Sequence, residues 1–141
     1  MANQEKKTRV LLAQFPLEPH LRGIITVAGM LRDAGMEVIL LGNALPQEIV
    51  RAAVQEYVDV VGISSYCGGE LVLGDELIKA AEKEGIKDGT VFILGGIFPP
   101  SSASKLKELG FSATFPPSST REEIVSDIKS AVAAKRRASG D

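Results

Sequence analysis

The 141-residue chain has one cysteine, one histidine and no tryptophan, and only 5% of it is aromatic. A single thiol, Cys67, excludes an internal disulfide, and a cytoplasmic location is the simplest reading of that shortage. His20 and Cys67 lie far apart in sequence, and one of each does not supply the nitrogen and sulfur ligands of a zinc site. No apolar run approaches the roughly 18 residues that suggest a membrane span. The polar start, residues 1–9, has neither the apolar core nor the cleavage signal of a secretory leader. A net charge of -2 lacks the basic surplus needed to displace phosphate counterions, which argues against nucleic acid as the main partner. The basic group Lys135, Arg136, Arg137 closes the last expected helix, where cations meet the negative end of the helix dipole.

What is present is globular: 45% hydrophobic and 24% charged residues in a length that suits one domain with its own core. That domain is expected over residues 9–135, between short tails at 1–8 and 136–141. Short β-prone runs at 9–15, 37–41, 59–63, 90–94 and 113–115 alternate with apolar stripes of helical spacing. Ile24, Ala28 and Leu31 make the first stripe, Ile49, Ala53 and Tyr57 the second, and Ile124, Ile128 and Val132 the last. Pro46 suits the first turn of the second helix, and Thr120 with Glu123 forms a capping-box pattern before the last. Strands joined by helices through short loops imply parallel crossovers. The fold expected is α/β: a single three-layer, doubly wound, Rossmann-like domain whose five-stranded parallel sheet runs in the order 2-1-3-4-5. Its switch point lies between strands one and three, the ligand-binding place of open α/β sheets.

Two loops flank that point. The first, residues 15–23, carries the sole histidine, His20, between Pro19 and Leu21, with Glu18 two residues before it. A lone loop histidine is more often solvated than a ligand, but this one sits at the ligand-binding end of a strand. A nearby carboxylate such as Glu18 is the usual means of fixing the tautomer of a metal-binding imidazole. The second loop, after strand three, reads Ser64, Ser65, Tyr66, Cys67, Gly68, Gly69. A hydrolytic triad built on these serines would consume the only histidine, and Cys67 has no basic sequence neighbour to activate it. Gly68, Gly69, Gly95 and Gly96 remove side chains where backbone must approach something bulky; paired glycines after strands also serve as plain turns.

Taken together, these loops resemble the cobalamin-binding domain family, in the stand-alone small-subunit form that accompanies adenosylcobalamin-dependent carbon-skeleton mutases. Glu18, His20 and Gly23 match its Asp-x-His-x-x-Gly pattern, Ser64 with Tyr66 its Ser-x-Leu loop, and Gly95 with Gly96 its Gly-Gly pair. The resemblance covers about residues 9–132 and is most like the methylmalonyl-CoA mutase group. Departures are Glu18 for aspartate, Pro19 and Leu21 for residues commonly Gly and Asp, Tyr66 for leucine, and Pro117, Ser118, Ser119 for a Pro-Gly-Thr turn. The resemblance implies that cobalamin's nucleotide tail leaves cobalt and enters a pocket between strands one and three, with His20 replacing it as lower axial ligand. Ser64 would hydrogen-bond the buried base, and Gly68, Gly69, Gly95 and Gly96 would make room. The implied cofactor-binding set is completed by Glu18, Arg22, Gly23, Tyr66, Pro117 and Ser118. It further implies a large barrel-type subunit carrying the acyl-CoA site, with a homodimer also possible. Alternatives are a corrinoid carrier for methyl transfer, a receiver domain, and a cofactor-free assembly domain. The carrier normally follows a helical cap, where only a short polar tail precedes Arg9. The receiver needs a phosphorylatable aspartate where Ser64 and Ser65 stand.

Overall fold

Val10, Leu11, Leu12 and Ala13 are all buried, although neighbouring side chains of a strand point to opposite faces. A strand buried on both faces requires a covering layer on each side. The structure is a computed structural model that describes residues 6–139; of the expected tails, residues 1–5 and 140–141 lie outside it. The elements are β1 (Arg9–Gln14), α1 (Arg22–Asp33), β2 (Glu37–Asn43), α2 (Pro46–Glu56), β3 (Val60–Ser65), α3 (Glu70–Lys83), β4 (Val91–Gly96), α4 (Pro100–Leu109), β5 (Ala113–Phe115) and α5 (Arg121–Ala138). All strand pairs are parallel and the sheet runs β2-β1-β3-β4-β5, as expected.

Strand alternation divides the core. Leu11 and Ala13 join Ile49, Val50, Leu77 and Leu94 beneath α2, α3 and α4. Val10 and Leu12 join Ile24, Ala28, Leu31 and Ile128 beneath α1 and α5. Burying each large aliphatic side chain contributes about 1.5–3 kcal/mol, so the two clusters hold both helix layers to the sheet.

Two boundaries lie further along than the pattern suggested, each for a visible reason. β2 continues past Leu41 because the register with β1 shifts between Leu12 and Ala13, so that Gly42 pairs with Ala13 and Asn43 with Gln14. α5 continues to Ala138, past the expected boundary at 135, and Arg136 in its last turn lies 3.5 Å from the Asp59 carboxylate. At its start, the Thr120 hydroxyl accepts the Glu123 amide at 3.1 Å, one half of the expected capping box. Among the described residues, no helix is long and apolar enough to cross a membrane.

Candidate functional site

The loop from β1 to α1 begins with a tight turn in which the Glu18 amide donates to the Phe15 carbonyl at 3.2 Å. Pro16 occupies its second position and Leu17 its third, with φ of 69°. A positive φ at that position is the type II arrangement, normally given to glycine. Leu17 is 93% exposed, so the turn leaves it in solvent and sends Glu18 inward. Two side-chain amides at the strand ends secure the loop. Asn43 Nδ2 donates to the carbonyls of Phe15 at 3.0 Å and Glu18 at 2.9 Å, and buried Gln14 donates through Nε2 to the His20 carbonyl.

Glu18 is the hinge between the two loops at the switch point. Its Oε1 accepts the Tyr66 amide at 2.6 Å and the Cys67 amide at 3.2 Å. Its Oε2 lies 2.7 Å from His20 Nδ1 and also accepts the His20 amide at 3.3 Å. The residue is only 5% exposed. Burial pushes its pKa up, but the hydrogen bonds from the Tyr66 amide, the His20 ring and amide, and the Cys67 thiol together outweigh it and leave the carboxyl below its ordinary value. An ionised carboxylate can only accept, so Nδ1 carries the proton of the neutral imidazole, and Nε2 keeps its lone pair. The ring is more than half exposed and leans on Tyr66, centroids 5.3 Å apart.

Beside His20 a cavity of about 520 Å³ opens between α1, the start of α5 and the C-terminal half of the sheet. Its walls are largely aliphatic, with Leu12, Val27, Met30, Ile93 and Ile124 among them, and Ser64, Tyr66 and Ser119 at the polar margin. Small residues make this space. On the same sheet face as Val60 and Ile93, the chain places Gly62, Ser64 and Gly95. A β-carbon at Gly62 would meet Leu12 at 2.7 Å, whereas one at Gly95 would find only ordinary contact, 3.5 Å from the Phe115 carbonyl. Gly96, at φ of 144°, passes so close to Ser65 that a β-carbon would lie 1.8 Å from the Ser65 carbonyl oxygen.

Of the residues singled out from sequence, His20, Arg22, Gly23, Ser64, Tyr66, Gly95, Gly96 and Pro117 line the cavity. Glu18 stands behind His20. Ser118 lies between two lining residues, Pro117 and Ser119. Gly68 and Gly69 do not line it; their φ values of 84° and 78° serve the turn into α3, the plain-turn alternative. Gly23 lies under Tyr66, whose hydroxyl would stand 2.8 Å from a β-carbon there. Sequence reasoning missed Gln14, Asn43 and Gly62. It also treated His20 and Cys67 as too distant for a shared ligand set, which the fold corrects: Cys67 Sγ lies 3.9 Å from His20 Nδ1 and 3.6 Å from Glu18 Oε2. Residual desolvation, then the Glu18 charge and hydrogen bond, push the thiol pKa up, so Cys67 is not an activated nucleophile.

A parallel sheet whose switch-point loops present a carboxylate-held histidine beside a largely aliphatic cavity has the layout of a ligand-binding α/β domain. The model of the B12 binding domain family matches residues 8–126, and the chain belongs to that family. It is similar to the 2-hydroxyisobutanoyl-CoA mutase small subunit of Aquincola tertiaricarbonis, 38% identical over 90% of this chain and 93% of that one. It is also similar to the pivalyl-CoA mutase small subunit of Xanthobacter autotrophicus, 39% identical over 92% of this chain and 86% of that one. Among solved structures, a cobalamin-binding protein from Desulfitobacterium hafniense DCB-2 shares the fold, with a TM-score of 0.76 at 21% identity over 89% of this chain and 59% of that one.

Proposed function

We propose that this chain is the cobalamin-binding small subunit of an adenosylcobalamin-dependent acyl-CoA mutase. The observation that carries the reading is buried Glu18 holding Nδ1 of half-exposed His20, which reserves Nε2 as a ligand atom at the rim of the cavity. The residues fit the group. A neutral imidazole with its other nitrogen hydrogen-bonded is a good ligand for a transition metal. An aliphatic pocket of this volume, with a few polar groups at its margin, suits a bulky, mostly apolar ligand portion such as the nucleotide tail.

His20 would hold the cobalt through Nε2, with Glu18 fixing its orientation. Ser64 would hydrogen-bond the buried base, and Gly62 and Gly95 would leave the width it needs. When bound, the cofactor supplies reversible cleavage of a cobalt–carbon bond and the radical rearrangement that follows. This chain contributes binding and orientation, and a large barrel-type subunit contributes the acyl-CoA site; the small-subunit names of both relatives support that division.

The test is reconstitution with hydroxocobalamin and comparison of the visible spectra of wild type and His20→Ala. The expected result is a histidine-ligated spectrum for wild type and a different one for the variant. Identical spectra would overturn the axial-ligand role.

A further inference from the structure

His20, Glu18 and Cys67 form a group whose chemistry the cobalt-ligand role does not use up. His20 Nδ1, Glu18 Oε2 and Cys67 Sγ all lie within 4.8 Å of one another, at 2.7 Å for N–O, 3.6 Å for S–O and 3.9 Å for S–N. A tetrahedral zinc ion with ordinary bond lengths separates such atoms by roughly 3.3 Å for N–O and 3.6 Å for pairs with sulfur. The cluster is therefore near a zinc geometry. The N–O pair must open by about 0.6 Å and the S–N pair close by about 0.3 Å. Exposed His20 and Cys67 can make those moves, while Glu18 is anchored by the Tyr66 and Cys67 amides through its other oxygen.

We infer that Glu18, His20 and Cys67 form a second metal site, which binds a thiophilic divalent cation such as Zn²⁺ through Oε2, Nδ1 and Sγ, with a fourth position open to solvent. Three ligands of mixed N, O and S type with one open position are a familiar zinc arrangement. Binding replaces the proton shared by Glu18 and His20. The thiol gives its proton to solvent, and the imidazole, ligated at Nδ1, changes tautomer: its proton leaves Nδ1 and Nε2 takes one up from solvent. Nε2 then has no lone pair to offer. Zinc at Nδ1 and cobalt at Nε2 are consequently alternatives on one neutral ring. The zinc site stands on its own geometry; its competition with cobalamin rests on the function proposed above.

Titration of the reduced protein with Co²⁺, a spectroscopic stand-in for zinc, tests the site without cobalamin. A thiolate-to-cobalt charge-transfer band should saturate at one ion per chain and vanish on adding Zn²⁺. Cys67→Ser should lose the band, and Glu18→Gln should weaken binding while His20→Ala does the same. Absence of the band in wild type, or saturation at half an ion per chain through a bridge between two Cys67 thiols, overturns the site. In a second arm, pre-loaded Zn²⁺ should slow hydroxocobalamin uptake in wild type and leave Cys67→Ser unaffected. If the Co²⁺ band appears but uptake is not slowed, the exclusion is wrong. If the band appears and wild type takes up no cobalamin even without zinc, the cobalamin reading fails and the metal site stands.

Discussion

The Glu18 carboxylate takes part in five hydrogen bonds, to His20, Tyr66 and Cys67, that tie two loops together, and its protonation state decides both. Its pKa is lower folded than unfolded, so the native state binds fewer protons as the pH enters the carboxylate range. The stabilisation it provides is fully present above the ordinary carboxylate value and is lost as pH falls through the lowered, folded one. Denaturant midpoints followed downward through that window should fall further for wild type than for Glu18→Gln; parallel curves would contradict the assignment. Glu18→Gln should also weaken cobalamin binding roughly 10- to 100-fold, the usual effect of losing a histidine-orienting partner. Much of this residue's role was legible in sequence, because the two-residue spacing to His20 keeps both in one loop. Its bonds to the Tyr66 and Cys67 amides were not, since they span 48 and 49 positions and depend on β1 lying beside β3. Gln14 and Asn43 escaped for the same reason: their pairing follows from a register shift no local pattern reveals.

Among the elements, α1 is the weak helix, and it forms one wall of the cavity. Leu21 offers no side-chain cap, the first turn holds no acid and carries Arg22 at the positive end of the dipole, and two glycines and four β-branched residues lie within its 12 residues. Packing of Ile24, Ala28 and Leu31 must therefore supply most of its stability. Gly29 has helical φ and nothing within 4 Å of where a β-carbon would sit. Gly29→Ala should raise unfolding free energy by about 0.5–1 kcal/mol in chemical denaturation. In hydrogen exchange, the first turn of α1 should exchange faster than that of α5, which has the Thr120 cap and acidic Glu122 and Glu123. A destabilised Gly29→Ala would show that the site does not accept a methyl group, and equal protection in the two turns would show that α1 is held more firmly than its sequence suggests. The element order was legible because each segment carries its own periodicity.

For the molecule as a whole, the α1/α5 side of the sheet is the side that can receive a ligand, because small residues thin the sheet surface there while α2, α3 and α4 close the other face. Sequence showed Gly95 and Ser64 as small residues at strand ends, but not that they share a face with Gly62, which only the strand registers establish. A cofactor whose tail fills this cavity binds the native chain and has no site in the unfolded one, so it must raise stability by mass action. At a free concentration 100 times the dissociation constant, that linkage is worth about 2.7 kcal/mol, enough to raise Tm by several degrees in a domain of this size. Gly95→Leu separates the cavity from the histidine. The backbone there tolerates a β-carbon, and the longer side chain takes up ligand space on the face shared with Ile93. Thermal unfolding with and without hydroxocobalamin should then give a large shift for wild type, a reduced one for His20→Ala, whose cavity is intact, and none for Gly95→Leu. A full shift in Gly95→Leu would mean that the tail lodges elsewhere, and the cavity beside His20 would lose its assigned role.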